Sequence, residues 1–180
     1  LLPRWHYAVV VGYDLVRQEV LLHSGTTARL ALPMSVFERT WARSGYWAMV
    51  ATAPPDLPSS PEAASLLTAV AALERADAGA AARAYAALTE RQPSLYGAWF
   101  GLGNASHAIG DLVAAERAFA RATEIDAQAA DAWNTLALPQ LALGRLGDAH
   151  ASAQRAVALG GPRAARYRET LDAIERRRAS

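Results

Sequence analysis

Apolar residues in the first 52 positions are spaced as they are in β-strands. Three runs of β-branched, aromatic and leucine residues, at 6–11, 19–23 and 27–32, are separated by turn residues, and a fourth follows at 46–52. Between the third and fourth runs, Ser35 and Glu38 have the spacing of a helical capping box, so a short helix should begin there and stop at Gly45. The pattern predicts a small antiparallel β-sheet with one short helix.

After residue 52 the chain becomes rich in alanine and leucine, and positions recur at a fixed interval. Trp99 and Trp133 are separated by ~34 residues, an interval that we call the repeat step. The same step relates four further pairs of residues: Leu102 and Leu136, Gly110 and Gly144, Ala115 and Ala149, and Ala122 and Ala156. A helix pair cannot bury its own apolar face, so such units must stack. We expect three pairs plus a capping helix over residues 62–180, with both tryptophans largely buried between paired helices. Gly110 and Gly144 should adopt the left-handed conformation that ends a helix.

This step and these residue types resemble the tetratricopeptide-repeat family. The resemblance implies an all-α superhelix that acts as a protein-protein interaction scaffold. The sequence departs from the family at Ser65, which stands where the first pair should have tryptophan, and at Pro139, which should bend its helix or destabilise it by about 3 kcal/mol. A generic alanine-rich bundle is the alternative interpretation of the residues.

The family's geometry implies that the first helix of each pair lines a concave face. On that face we place Leu66, Val70, Leu73, Phe100, Asn104, His107, Asn134, Leu138 and Leu141. The candidate peptide-binding residues among them are Phe100, Asn104, His107, Asn134 and Leu138, since amides can bond a peptide backbone in both directions. No basic residue follows in this pattern, which argues against a carboxylate clamp of the kind known in the family. Alternatively, the apolar residues pack against the first region, and His107 is a surface histidine.

Residues 53–61 separate the two regions and contain four prolines, which favour extended backbone. We interpret this segment as a linker between a β-rich half domain at 1–52 and the repeat array at 62–180. The predicted fold class is therefore α+β, with the small sheet followed by the helical superhelix.

Composition excludes several kinds of function. With 52% hydrophobic and 19% charged residues and a net charge of +1, the chain has no basic surface suited to nucleic acid. No apolar run approaches the ~18 residues of a membrane span. The chain contains no cysteine, and its pattern indicates no cofactor and no metal site. Because Leu1 is not a methionine and a strand-like run follows almost at once, we expect this chain to be the C-terminal part of a longer protein.

Residues 6–14, HYAVVVGYD, carry a second resemblance. A histidine that opens an apolar strand ending in Gly-Tyr-Asp is similar to the histidine half of bacterial papain-like peptidases of the bacteriocin-leader-processing type. The resemblance covers about residues 5–52. It implies His6 as general base and places the orienting residue near Ser24, where the family usually has aspartate.

Without a cysteine in the chain, the nucleophile of such a peptidase would lie in a missing N-terminal half. Three hypotheses stay open: an active peptidase whose first half is absent here, a scaffold that has lost the chemistry, and a strand-edge His6 with no catalytic role. A metal site at His6 and His23 lacks a third ligand. The resemblance suggests a bacterial, secreted or envelope-facing protein.

Overall fold

The computed structural model describes residues 7–59 and 62–179. Contacts divide the chain at residue 50 into two compact units, the first ending at Val50 and the second beginning at Ala51. His6, the predicted general base, lies outside the described residues. None of the helices in the described part of the chain has the length and apolar character that a bilayer span requires.

The first unit is a small antiparallel sheet with one helix, as predicted, but it has three strands and not four. Its elements are β1 (Ala8–Asp14), β2 (Glu19–Ser24), β3 (Thr27–Pro33) and α1 (Met34–Ala42), and the strand order is β1-β2-β3. The Asp14 carboxylate closes the first turn by accepting the Val16 and Arg17 amides, each at 2.9 Å. Val20 and Leu22 of the central strand are its buried apolar residues among those described.

Two local predictions for this unit were wrong. Residues 46–52 form no strand: Tyr46 has a left-handed φ of 58°, and the Trp41 indole N–H donates to the Trp47 carbonyl at 2.8 Å, which holds this segment against α1. The capping box is absent because α1 begins at Met34, one residue before Ser35, and the Met34 amide donates instead to the Gln18 carbonyl.

The second unit is a succession of helices. In its described residues there are seven: α2 (Ala63–Glu74), α3 (Ala78–Arg91), α4 (Tyr96–Ala108), α5 (Leu112–Ile125), α6 (Ala130–Ala142), α7 (Leu146–Leu159) and α8 (Ala164–Ala179). Each helix packs against the next one along the chain. The helices α3, α5 and α7 begin one repeat step apart, and so do α4, α6 and α8. The arrangement is three helix pairs, α2–α3, α4–α5 and α6–α7, followed by the single helix α8.

Glycines and small residues set the spacing of these pairs. Gly110 and Gly144 have φ values of 82° and 77°, which confirms the predicted left-handed corners. Alanines such as Ala115 and Ala149 are fully buried where paired helices meet. Close approach of the helices therefore depends on small side chains at the contact.

The tryptophans are less buried than predicted. Trp99 and Trp133 are only partly buried, because each donates its indole N–H to a carbonyl in the turn before its own helix, Pro93 at 2.9 Å and Ala127 at 3.1 Å. The largest fully buried side chains are instead Phe119, Leu88, Ile174 and Pro139. Pro139 lies inside α6, which continues past it to Ala142.

The end of the proline-rich segment packs on the helices of the second unit. Leu57 contacts the buried cluster that includes Leu66 and Leu88. The Arg91 guanidinium donates to the carbonyls of Pro58 at 2.6 Å and Ser59 at 2.7 Å. Residues 57–59 are therefore tied to α3.

Candidate functional site

A cavity of about 180 Å³ lies between α4, α6 and the beginning of α8. We call it the groove cavity. Residues of α4, residues of α6 and two arginines at or just before the beginning of α8 line it: Phe100, Asn104, Asp131, Asn134, Thr135, Leu138, Arg163 and Arg166. Four of the five predicted peptide-binding residues are thus brought to one place, from helices that occupy equivalent positions in successive repeats.

The other residues placed on the concave face do not line the groove cavity, and Leu73 packs on the buried cluster that includes Tyr85. His107 is exposed near the end of α4 and does not line the groove cavity. Leu66 and Val70 are core residues, only 4% and 5% exposed, and pack against Leu88 and Tyr85 respectively. Their placement on the concave face was wrong because α2 turns its apolar residues toward α3 and α4.

Phe100 is held by aromatic neighbours on either side. Its ring stacks on Tyr96 with centroids 5.7 Å apart and meets the edge of Phe119 at 5.6 Å. Burial, together with the carboxylates of Asp126 and Asp131, raises the pKa of Tyr96 to about 12. The aromatic stack therefore keeps a neutral, rigid apolar wall on the α4 side of the groove cavity.

Asp131 joins the α6 side of the cavity to α8. One carboxylate oxygen accepts the Tyr167 hydroxyl at 2.7 Å, and the other accepts the Arg163 guanidinium at 2.9 Å. Burial and the hydrogen bond to Asp131 raise the pKa of Tyr167. Tyr167 follows Trp133 by one repeat step, so its place on the last helix could be predicted, but its partner could not.

Asn134 is the polar residue with unmet hydrogen-bonding capacity. It is 5% exposed, and its Oδ1 has no hydrogen-bond partner among the described residues. The adjacent Thr135 hydroxyl does not serve it, since it donates to the Asp131 carbonyl. Buried amides are ordinarily paired, and an unpaired one costs about 1–3 kcal/mol.

A second cavity, of about 340 Å³, continues along α6 from the first. It is lined by Leu138, Leu141, Ala142, Ala173 and Arg177, so that Leu138 belongs to both cavities. Leu141 was among the residues placed on the concave face. The two cavities form a surface that is polar near Asn134 and mostly apolar beyond Leu138.

The arginines of the groove cavity were not predicted from the sequence. The first helices of the three pairs, α2, α4 and α6, contain no lysine or arginine. The helix α8 takes the next such position in the repeat, and it brings Arg166, together with Arg163 just before the helix, to the cavity. Arg163 is paired with Asp131, whereas Arg166 is exposed and its guanidinium makes no hydrogen bond or ion pair within the described ranges.

Ser24, the predicted orienting residue, is the last residue of β2 and is partly exposed. It lies opposite Ala8 of β1, and His23 lies opposite Val9. Because His6 is outside the described residues, the pairing of His6 with Ser24 stays a prediction.

Comparisons with known proteins place the helical unit among known folds. No protein-family model matches the chain, and no curated protein does. Solved structures do match: the type III secretion chaperone SycD of Yersinia enterocolitica in complex with a peptide of the translocator YopD is 19% identical, with a TM-score of 0.61 over 67% of this chain and 97% of that one. The helical unit has a tetratricopeptide-repeat fold.

Two further repeat structures agree. The first TPR of Spaghetti (RPAP3), bound to the HSP90 peptide SRMEEVD, has a TM-score of 0.61 and 18% identity over 66% of this chain and 94% of that one. The TPR2B domain of yeast Sti1, in complex with pHsp70, has a TM-score of 0.60 and 16% identity over 64% and 97%.

Proposed function

We propose that the helical unit is a protein-interaction scaffold that binds an extended polypeptide segment in the groove cavity. The observation that carries this proposal is the convergence of Phe100, Asn104, Asn134 and Leu138, from two successive repeats, on one cavity. The structures of SycD, Spaghetti and Sti1 support it, because each of these proteins is in complex with a peptide or a protein partner.

The side chains suit an extended peptide. Phe100 and Leu138 offer apolar contacts to a side chain, and the amides of Asn104 and Asn134 can each donate to a peptide carbonyl and accept from a peptide N–H. A peptide that lacks secondary structure exposes both groups at every residue. The groove cavity therefore recognises backbone polarity together with one apolar side chain.

The test begins with a selection of displayed random peptides against the whole chain, followed by affinity measurements on the selected ligand. Phe100→Ala should weaken binding by about 2 kcal/mol, roughly 30-fold, as expected for a buried aromatic anchor. Asn104→Ala should weaken it by about 1 kcal/mol. His107→Ala is the matched control on the same helix and should bind like the wild type. Unchanged affinity in both cavity variants would remove the groove cavity as the binding site.

We infer a second candidate role for the first unit, as the histidine half of a papain-like peptidase. The favouring observation is the edge strand β1, whose apolar residues are uncovered within the unit: Val9 is 63% exposed and Tyr13 68%. Large exposed apolar surface indicates a contact with another polypeptide. The partner in this role would be the other half of the peptidase domain, which would supply the cysteine.

Peptidase activity is tested on the complete product of the gene, with a peptide substrate and a thiol-directed inactivator. His6→Ala should abolish turnover if His6 is the general base, and the inactivator should do the same. Ser24→Ala should reduce turnover less, because a hydroxyl only orients the imidazole. Equal turnover by wild type and His6→Ala would show that the first unit has no catalytic role.

A further inference from the structure

Three features of the groove lie together: the Asn134 amide oxygen and the Arg166 guanidinium, neither of which has a hydrogen-bond partner among the described residues, and the mostly apolar cavity beyond Leu138. From their juxtaposition we propose that the groove selects an internal acidic residue of its peptide, held at Arg166 beside Asn134, with an apolar residue about three positions away in the second cavity. This inference rests on the proposed peptide-binding function and specifies its ligand.

Asn134 has a buried hydrogen-bonding group that none of the described residues satisfies. A buried amide oxygen without a partner is a cost that a specific ligand can remove. The terminal torsion of asparagine is broad and roughly two-fold, so a half-turn exchanges its oxygen and its NH₂ group at the cavity. Because Asn134 lines the groove cavity, either group can meet the peptide: the oxygen a backbone N–H, the NH₂ group a carbonyl or a carboxylate.

The groove cavity has one positive charge available to a ligand. Its charged lining residues are Asp131, Arg163 and Arg166. The Asp131 carboxylate is already occupied by Arg163 and Tyr167, which leaves the charge of Arg166 facing a ligand. Guanidinium groups bind carboxylates in a bidentate manner, so an acidic group is the matching ligand.

The second cavity shows why the acidic group is internal to the peptide. Since Leu138 lines both cavities, the surface continues along α6 beyond the arginine, and a bound chain has apolar wall to contact there. Asn134 and Leu141 are separated by seven residues of helix, about 10 Å at 1.5 Å per residue. Extended peptide advances about 3.3 Å per residue, so about three residues cover the distance from the acidic residue to the apolar one.

The experiment uses the whole chain and a set of labelled 12-residue peptides that are acetylated and amidated, in a Gly-Ser background. Each contains one Glu and one Leu, in either order and separated by one to five positions, and each has a twin with Gln in place of Glu. Fluorescence polarisation gives Kd at low and high salt. We expect the tightest binding at a separation of about three positions, about fivefold weaker binding of the Gln twin, and a smaller difference between twins at high salt.

Substitutions in the groove test which residues produce the preference for Glu over Gln peptides. Arg166→Ala should abolish the difference between Glu and Gln peptides, and Arg166→Glu should reverse the preference toward a Lys-containing peptide. Asn134→Ala should weaken both twins about fivefold. Arg168→Ala is the control, since Arg168 is an exposed arginine of the same helix that lines neither cavity. Arg166 is exposed, so its variants should fold even if the Asn134 variant does not.

The possible failures are distinct. Equal binding of Glu and Gln twins, or an Arg166→Ala variant that keeps the preference, overturns this inference and leaves the proposed function standing. Binding that requires a free C-terminal carboxylate in place of the amide overturns the internal position. If no peptide of the set binds while the ligand selected by display does, the inference is wrong; if neither binds, the proposed function fails with it.

Discussion

Gly101 and Gly103 lie on α4 where it meets the aromatic rings of its two neighbours. A Cβ atom at Gly101 would stand 2.3 Å from the Tyr85 ring of α3, and one at Gly103 would stand 2.5 Å from the Phe119 ring of α5. Both rings are almost completely buried. The absence of a Cβ atom at these two glycines therefore leaves the space that the two aromatic rings fill.

Replacement of Gly103 by alanine should destabilise the helical unit by about 1–3 kcal/mol, because overpacking outweighs the better helix propensity of alanine. Gly147→Ala is the matched control, since nothing lies within 4 Å of its added methyl group, and it should be neutral or stabilising by up to about 1 kcal/mol. Urea unfolding followed by circular dichroism measures both. Equal stability of the Gly103 variant and the wild type would contradict this packing.

Tyr96 gives the helical unit a dependence on alkaline pH. Its folded pKa is about 12, above the value of about 10 for an unfolded tyrosine, so the folded state holds the phenol proton more tightly. The resulting stability is fully present below pH 10 and is lost as pH rises toward 12. The unfolding midpoint in urea should fall over this interval.

Tyr96→Phe keeps the ring stacked on Phe100 and removes the proton, so the decline above pH 10 should be shallower. Tyr13→Phe, in the other unit and 68% exposed, should leave the decline unchanged. Identical pH profiles for the wild type and Tyr96→Phe would refute the assignment. Some decline should persist in Tyr96→Phe, since burial raises the pKa of Tyr85 and Tyr167 as well.

The second helices of the three pairs, α3, α5 and α7, have different residues at their N-terminal ends. Asp77 is the N-cap of α3 and accepts the Ala80 amide at 2.8 Å, and Asp111 is the N-cap of α5 and accepts the Ala114 amide at 3.0 Å. The next residue in this series is Arg145, which gives α7 no side-chain cap and instead pairs with Glu116 at 2.7 Å. The third pair therefore has an ion pair to an earlier helix in place of a cap.

Asp111→Ala should lower the free energy of unfolding by about 1 kcal/mol, because the Ala114 amide loses its acceptor. Asp111→Asn keeps the acceptor and should cost much less, which separates the hydrogen bond from the charge. Chemical denaturation of the three proteins at one pH measures this. A loss as large in the asparagine variant as in the alanine variant would assign the effect to the charge.

The sequence predicted elements well where local pattern decides them. Turn residues separated the three strands, and the repeated glycines marked helix ends. Prediction failed where a contact from elsewhere intervenes: the Gln18 carbonyl takes the first amide of α1, so Ser35 cannot be its cap. In the same way, Trp41 takes a carbonyl that the predicted fourth strand would have needed.

The whole helical unit should respond to truncation one neighbour at a time. Removal of residues 162–180 takes away Tyr167 and Ile174, which are buried against the third pair. In a stacked array each element contacts only its neighbours, so hydrogen-exchange protection should fall most in α6 and α7 and least in α2 and α3. Uniform loss of protection over all the helices would show that the unit unfolds as one cooperative body.

The prediction of the groove residues also failed where a residue's role depends on contacts with a distant part of the chain. Phe100, Asn104, Asn134 and Leu138 could be found because they follow the repeat through the three pairs. Arg166 could not, since its role depends on where α8 lies, and the equivalent positions in α4 and α6 are Ala98 and Ala132. The chemistry of the groove comes from the element with the weakest repeat pattern.

The fit of glycine to ring in the second pair has a consequence for how such a gene can change. The positions one repeat step after Gly103 and Phe119 are Ala137 and Ala153, both fully buried in one cluster, so each pair divides the same space between its helices differently. An unequal crossover between the two repeats would put a methyl group against a phenyl ring in one product and glycine opposite alanine in the other. The space between the paired helices would be overpacked in one recombinant and would contain a cavity in the other. Although their backbones share the same step, the repeats are poor substrates for duplication or loss by single exchanges.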